Sequence, residues 1–359
     1  MHILPYRPHP LLRSGHLQTL LVGVVYGQRP PHSAHSIHIP LDDNEALAVH
    51  EELGHPSSPP LTPSTPLAIL IHGLGGDHAS PYLQRIAYQL RQEGFRVWRV
   101  DLRGSGSGLN LAWRPAHAGG SDDLAAVVQS ACRQYPSAPL HIVGFSLSGN
   151  ILLKMLGEAA AGAAHPQLDL DRIQSAAAIA PPVDLHSCAD NMERLSRRIY
   201  THYYLKVLDQ QVRLRQEQWP QWRQIPNQPP LKSIRQFDAR YTAPMCGFVD
   251  TDDYYTRASA IAWLPKIVTP TTLLVDRHDP IVTVESFEPS KLNQQSTELV
   301  LTSHGGHMGY FGLDSAGRNI RWMEYFVIEH LRSQWHGHTP TPPTAHQRAS
   351  SKAVQGSTP

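Results

Sequence analysis

Ser146 lies in Gly144-Phe145-Ser146-Leu147-Ser148-Gly149. Before it runs the apolar stretch Leu140-His141-Ile142-Val143, and after it Ile151, Leu152, Met155 and Leu156 recur at helical spacing. A strand entering Gly-x-Ser-x-small and leaving as a helix is the layout of a nucleophile elbow. The sharp turn exposes the serine hydroxyl, and small neighbours let the helix cross close to the sheet. The chemistry open to such a serine is attack on a carbonyl carbon. One position departs from the pattern: Ser148 stands where glycine is usual, and glycine follows at Gly149. Ser148 is itself a weak nucleophile candidate, because its flanking positions are Ser146 and Asn150. A plain strand-to-helix turn of any α/β protein would look similar, so the reading depends on partners elsewhere.

An elbow serine needs a base, and the base needs an orienting acid, in the chain order Ser, Asp/Glu, His. Downstream, the apolar run Thr271–Val275 leads into Asp276-Arg277-His278-Asp279-Pro280, a polar turn with two carboxylates. A further run, Leu299–Leu301, leads into His304-Gly305-Gly306-His307-Met308-Gly309, a glycine-rich loop with two histidines. Each polar group follows a strand, on loops that share one end of a parallel sheet, where ligands bind. Asp279 lies in the loop proper and is the expected acid; Asp276, at the strand terminus, reads as a turn carboxylate. His307, flanked by Gly306 and Gly309, has room to reach the serine and is the expected base; His304 reads as a local packing residue. Nothing at metal-ligand spacing supports a metal pair at His304 and His307.

The oxyanion formed by such an attack needs two backbone N–H donors. One comes from the residue after the nucleophile, here Leu147, and the other from a loop after an early strand. Leu67–Ile71 followed by His72-Gly73-Leu74-Gly75-Gly76 fits that loop, with Leu74 as the donor. A phosphate loop is excluded there, since neither Gly-Lys-Ser/Thr nor Gly-x-Gly-x-x-Gly is present. In the turn Asp101-Leu102-Arg103-Gly104, Asp101 and Arg103 read as residues that pin the loop by hydrogen bonds.

Taken together, these motifs resemble the YheT-like branch of the α/β-hydrolases, from about Arg7 to Leu331. Gly15-His16-Leu17-Gln18-Thr19 is similar to that branch's His-Leu-Gln-Thr signature. His72–Gly76 resembles its oxyanion loop, Asp101–Gly104 its post-strand turn, and Gly144–Leu152 its elbow, where glycine is usual in place of Ser148. Phe237-Asp238, Gly247-Phe248 and Tyr254-Tyr255 resemble the signature at the end of its cap. Asp279-Pro280 and Gly305-Gly306-His307 resemble its acid and base loops; the family often has two adjacent acids before the proline, and here the first is His278.

Composition agrees. The 359 residues are 41% hydrophobic, enough for one large α/β domain with an insertion. A net charge of +1 gives no field for nucleic acid or an acidic membrane. Three widely spaced cysteines, Cys132, Cys188 and Cys246, make no disulfide framework and point to a reducing compartment. The N-terminus shows no signal peptide, and its longest apolar run, Leu20–Tyr26, is far short of the ~20 residues of a membrane helix. Eukaryotic members of the family often carry such a helix, so the resemblance implies a soluble, bacterial-type, cytoplasmic form. His32, His35 and His38 read as surface residues.

The expected fold is the α/β-hydrolase fold: a mostly parallel central sheet with helices on both faces and an inserted helical cap. Strands are expected near 67–71, 95–100, 139–143, 173–180, 271–275 and 297–302, with helices near 80–92, 121–135 and 319–331. Residues 1–183 and 263–335 form the core. Residues 184–262, rich in long apolar side chains such as Met192, Leu195, Ile199, Tyr203, Leu208 and Trp222, form the cap; its apolar face is expected to line an acyl pocket, and most of these side chains read as the cap's own core. Its basic residues Arg194, Arg197, Arg198 and Lys206 read as a solvated face. Residues 336–359, Pro-, Ser- and Thr-rich, are an expected disordered tail.

The sequence-level expectation is a serine hydrolase acting on carboxylic esters. Ser146, Asp279 and His307 are the catalytic residues, Leu74 and Leu147 form the oxyanion hole, and no cofactor or metal is needed. Acyl transfer to an alcohol and a non-catalytic binding protein of the same fold are the alternatives. The expected partner is a small-molecule ester or lipid.

Overall fold

The computed structural model describes residues 3–22, 27, 29–30, 33–41, 44–54, 58–225 and 230–336; the expected tail from 337 onward and His32 lie outside the described residues, and His336 is helical. The central sheet has eight strands: β1 (Ala34–Pro40), β2 (Ala46–Glu52), β3 (Leu67–Ile71), β4 (Arg96–Val100), β5 (Leu140–Phe145), β6 (Ile173–Ile179), β7 (Thr271–Asp276) and β8 (Thr297–Thr302). Their order across the sheet is β1-β2-β4-β3-β5-β6-β7-β8. β2 runs antiparallel to both of its neighbours, and every pairing from β4 to β8 is parallel. The inner strand β3 reads as an unbroken apolar run because helices cover both faces of the sheet.

The period of two in a strand divides that apolar content between two cores. In β3, Leu67, Ile69 and Ile71 face one side, where they pack with α3 (Ser121–Gln134) and α4 (Leu147–Ala160). Ala68 and Leu70 face the other, with α2 (Pro81–Gln92) and α11 (Trp322–His336). Leu83, Ile86 and Leu90 form the buried stripe of α2, and Leu124, Val127, Val128 and Ala131 that of α3, as the helical periodicity required.

The interruption read at 184–262 falls between β6 and β7. There the chain forms α5 (Leu185–Glu193), α6 (Arg198–Gln218), α7 (Pro220–Arg223), α8 (Ile234–Phe237), α9 (Ala243–Met245) and α10 (Thr251–Ala258). No helix among the described residues is long and apolar enough to cross a membrane.

One local reading is corrected, and the N-terminal segment adds a helix, α1 (Gly15–Val22). The last helix does not begin at Asn319: Asn319–Arg321 is strand β10, paired antiparallel with β9 (Phe311–Leu313), and α11 starts at Trp322. The turn between them is closed by Asp314, whose Oδ1 accepts from the N–H groups of Ala316 and Arg318. A side-chain-to-backbone turn of this kind competes with helix formation.

Candidate active site

The parallel strands bring the ends of β3, β5, β7 and β8 to one edge of the sheet, and with them the four loops singled out in the sequence. Ser146 falls between β5 and α4, with φ 51° and ψ −117°. Positive φ at a residue with a side chain stores strain that the surroundings must hold. Two contacts hold it here. The Ser146 N–H donates to the Ile179 carbonyl at 2.7 Å. Gly144 lies so close to the start of α4 that a Cβ there would sit 2.4 Å from the Ser148 carbonyl oxygen.

His307 is buried and lies between Ser146 and Asp279. Its Nδ1 is 2.8 Å from Asp279 Oδ2, and its Nε2 is 2.9 Å from Ser146 Oγ. With Nδ1–H donating to the carboxylate, the Nε2 lone pair faces the serine hydroxyl. Asp279 is held in turn: its Oδ1 accepts from the N–H groups of Ile281 at 2.7 Å and Val282 at 3.0 Å. Asn191 of α5 donates through Nδ2 to the carbonyls of Pro280 and Ile281, so the helical insertion braces the acid loop.

The other members of each pair have separate places. Asp276 accepts from the N–H groups of Gly305 at 2.7 Å and Gly306 at 3.1 Å and from the Thr302 hydroxyl at 2.8 Å. It clamps the histidine loop to the end of β7. His304 stacks on His278 with ring centroids 4.4 Å apart. Ser148 is fully buried, and its hydroxyl donates to the His72 carbonyl. The serine that replaces the usual glycine therefore ties the elbow helix to the loop after β3.

That loop lies against the serine. A Cβ at Gly73 would be 3.1 Å from Ser146 Cβ. His72 Nε2 accepts from the Leu102 N–H at 3.1 Å, which places its proton on Nδ1, donating to the Gly73 carbonyl at 2.7 Å. Burial keeps this imidazole neutral by lowering its pKa. Leu147 opens α4, where a backbone N–H has no acceptor within its own helix. Leu74 and Leu147 both line the cavity at Ser146.

Asp101 accepts from the N–H of His78 at 2.6 Å and that of Ser107 at 3.0 Å. His78 Nδ1 lies 2.8 Å and His50 Nε2 3.3 Å from its Oδ2. Burial opposes ionisation of this carboxyl, but the hydrogen bonds from His50 and His78 outweigh it and hold the pKa well below the carboxylate range. Among the described residues, His50, His78 and Asp101 are the group whose donor atoms come close enough to share a metal ion. Their hydrogen bonds to one another and to Ser107 already satisfy those atoms, and they pin the turn after β4.

Two chambers meet at Ser146. The inner one, about 140 Å³, lies under the insertion and is walled by Leu74, Met192, Leu208, Val212, Trp222 and Phe237, among others. The outer one, about 460 Å³, opens past Thr19, Tyr82, Ile199, Tyr203 and Met323, with Arg85 and Glu324 on its wall. Of the apolar residues expected to line one pocket, Met192, Leu208 and Trp222 face the inner chamber, and Ile199 and Tyr203 the outer one. Leu195 is 73% exposed and lines neither.

Residues 66–312 match the family described as the alpha/beta hydrolase fold. The chain belongs to the alpha/beta hydrolase family. Within that family it falls in the YheT-like branch. It is 29% identical to YheT of Escherichia coli (strain K12), over 73% of this chain and 75% of that protein. It is 27% identical to the monoacylglycerol lipase of Saccharomyces cerevisiae, over 72% of this chain but 57% of the yeast protein, under two thirds of its length. The Pyrococcus furiosus esterase Pf2001 shares the fold, with a TM-score of 0.51 at 17% identity over 86% of this chain and 93% of that one.

Several residues of this hydrolase that hold the site were not reached by chemical reading of the sequence. Thr19 Oγ1 accepts from the His307 N–H at 2.8 Å. The buried Gln18 amide accepts from the Phe311 N–H at 2.8 Å and donates to the Phe311 carbonyl at 2.9 Å. The His-Leu-Gln-Thr signature marked both positions without showing what they touch. Tyr204, which lines both chambers, carried no signal beyond its helical register.

Proposed function

We propose that this protein is a serine hydrolase that cleaves carboxylic esters through an acyl-enzyme, with Ser146 as nucleophile, His307 as base and Asp279 as the orienting acid. The observation that carries the reading is the unbroken chain Asp279–His307–Ser146, with both links at hydrogen-bond distance on a strained, half-buried serine.

The Ser146 hydroxyl attacks the ester carbonyl carbon while His307 Nε2 takes its proton. Asp279 fixes the ring through Nδ1 and stabilises the imidazolium. The N–H groups of Leu74 and Leu147 receive the oxyanion; loss of one such donor typically costs about 100- to 1,000-fold in rate. As the tetrahedral centre collapses, the bond to the alkoxy oxygen breaks and His307 returns the proton to the departing alcohol. Water, deprotonated by the same imidazole, then attacks the acyl-Ser146 carbonyl; the bond to Ser146 Oγ breaks, His307 returns the proton to that oxygen, and the carboxylic acid leaves. The inner chamber takes the acyl group and the outer chamber the alcohol portion. The thiol of Cys188, on the inner wall, takes no part, because burial pushes its pKa up and keeps it protonated.

The test is hydrolysis of p-nitrophenyl esters from acetate to palmitate by wild type and Ser146→Ala. Turnover by wild type alone supports the reading, and the preferred chain length sizes the inner chamber. Equal turnover by both, or by neither, removes it. Added alcohol separates hydrolysis from acyl transfer through the products formed.

A further inference from the structure

The inner chamber is apolar over most of its wall, yet Arg215 of α6 is part of that wall while only 2% exposed. Its Nη2 donates to the Gly104 carbonyl at 2.8 Å and its Nη1 to the Gln211 carbonyl at 3.5 Å, and the guanidinium carbon sits 5.4 Å from the centre of the Trp222 ring. Both polar acceptors are neutral carbonyls. Nε is buried without a hydrogen-bond partner, and among the described residues no carboxylate pairs with this cation. An unpaired buried charge is costly, and proteins keep one where something else supplies the counter-charge. Burial lowers the Arg215 pKa to about 10, so the group is still a cation at neutral pH.

A second donor looks onto the same space. His117 Nδ1 accepts from the Gly119 N–H at 3.1 Å, so the neutral ring carries its proton on Nε2, which finds no acceptor among the described residues. Burial, and next the Arg103 charge, lower its pKa to about 4 and keep it neutral. The carboxyl on this wall, Asp238, is already engaged: Oδ1 accepts from the Thr242 hydroxyl at 2.6 Å and Oδ2 from the Tyr255 hydroxyl at 2.7 Å.

We propose that the inner chamber binds acyl groups ending in a carboxylate, with Arg215 as the residue that selects for that anion. The inference rests on the proposed ester hydrolysis and deepens it: the substrates are monoesters of short dicarboxylic acids. A planar carboxylate is the counter-ion suited to a guanidinium whose own acceptors are only neutral carbonyls. The size agrees too, since a chamber of about 140 Å³ is close to the ~150 Å³ cavity that admits benzene, a six-carbon group.

The experiment compares p-nitrophenyl hexanoate with the p-nitrophenyl monoester of adipic acid, which differ only in a terminal methyl against a terminal carboxylate. Wild type is expected to have the higher kcat/KM on the adipate ester. In Arg215→Gln the adipate-to-hexanoate ratio is expected to fall about tenfold or more, the value of a charge-assisted hydrogen bond, while Arg215→Lys keeps part of it. A purely structural Arg215 would lower both rates and leave the ratio unchanged, which overturns the proposal. A second reading needs no variant and no turnover: free adipate raises the melting temperature of wild type and the neutral isostere adipamide does not. Equal shifts, or none, overturn the anion site. Failure of the hydrolase reading is seen separately, as absence of fluorophosphonate labelling at Ser146.

Discussion

Thr19 and His307 are 288 positions apart, and the Thr19 hydroxyl oxygen accepts the backbone N–H of His307 at 2.8 Å. The same hydroxyl donates to the Gly15 carbonyl at 2.7 Å, so α1 holds the proposed base from behind. Replacing Thr19 by valine keeps the shape and removes the hydroxyl. The expected result is a kcat lower by about tenfold to a hundredfold, the cost of a small misplacement of a reacting group, with KM changed far less. Thr19→Ser should restore most of the rate. Steady-state kinetics on one p-nitrophenyl ester reads both, and an unchanged kcat in the valine variant would show that the loop is held without this contact.

Ser148 ties α4 to the loop after β3 through the His72 carbonyl. Ser148→Ala leaves that carbonyl without its hydroxyl donor and is expected to lose about 1–3 kcal/mol of stability. Ser148→Gly restores the residue usual in the family, but it also adds backbone freedom inside a helix. It should be less stable than the alanine variant by up to about 1 kcal/mol. Urea unfolding of the three proteins gives the order; a glycine variant as stable as wild type would contradict it.

Val212 is buried on the inner wall. A larger side chain there shortens the chamber. Val212→Phe is expected to reduce kcat/KM on hexanoate relative to acetate by about tenfold or more, since each lost methylene contact is worth 1–3 kcal/mol or so. Retention of the wild-type chain-length profile would place the acyl group elsewhere.

Asp238 gives a pH signature. Burial raises its pKa from 3.8 to about 6, against the hydrogen bonds from Thr242 and Tyr255 that favour the anion. Between those two values the folded protein holds a proton that the unfolded chain has released, so this group's contribution to stability falls as pH rises from about 4 to about 6. Asp238→Asn removes that term. The melting temperature of the variant minus that of wild type should therefore increase across this window and level off above it. A difference that is flat with pH would show that Asp238 ionises in the fold as it does in the unfolded chain.

Local pattern made much of the site legible. The elbow, the acid turn and the histidine loop each combine an apolar run with a polar or glycine-rich break, and such signals lie within a few consecutive residues. The choice of Asp279 over Asp276 rested on position in the turn, and the distances to His307 agree with it. What stayed hidden depends on contacts between distant segments. Asp276 looked like a plain turn carboxylate, but it fastens the loop after β8 as well as its own turn. Asn319–Arg321 continued the helical spacing of the residues after it and still formed a strand, because β9 offered hydrogen-bond partners across a tight turn.

The sequence by itself determined the inner parallel strands and the helices between them, the two-sided core and which serine, acid and histidine are the candidates. Hydrophobic period and turn chemistry act over a few residues, and the chain spells them directly. Only the tertiary structure decided which wall each insertion residue lines, that α1 supports the proposed base, and that Arg215 ends up buried beside the serine's chamber without a counter-charge among the described residues. Helical periodicity says that one face of α6 is covered; what covers it is set by how the insertion packs on the turn after β4, and that packing is a sum over distant segments that no local stretch contains.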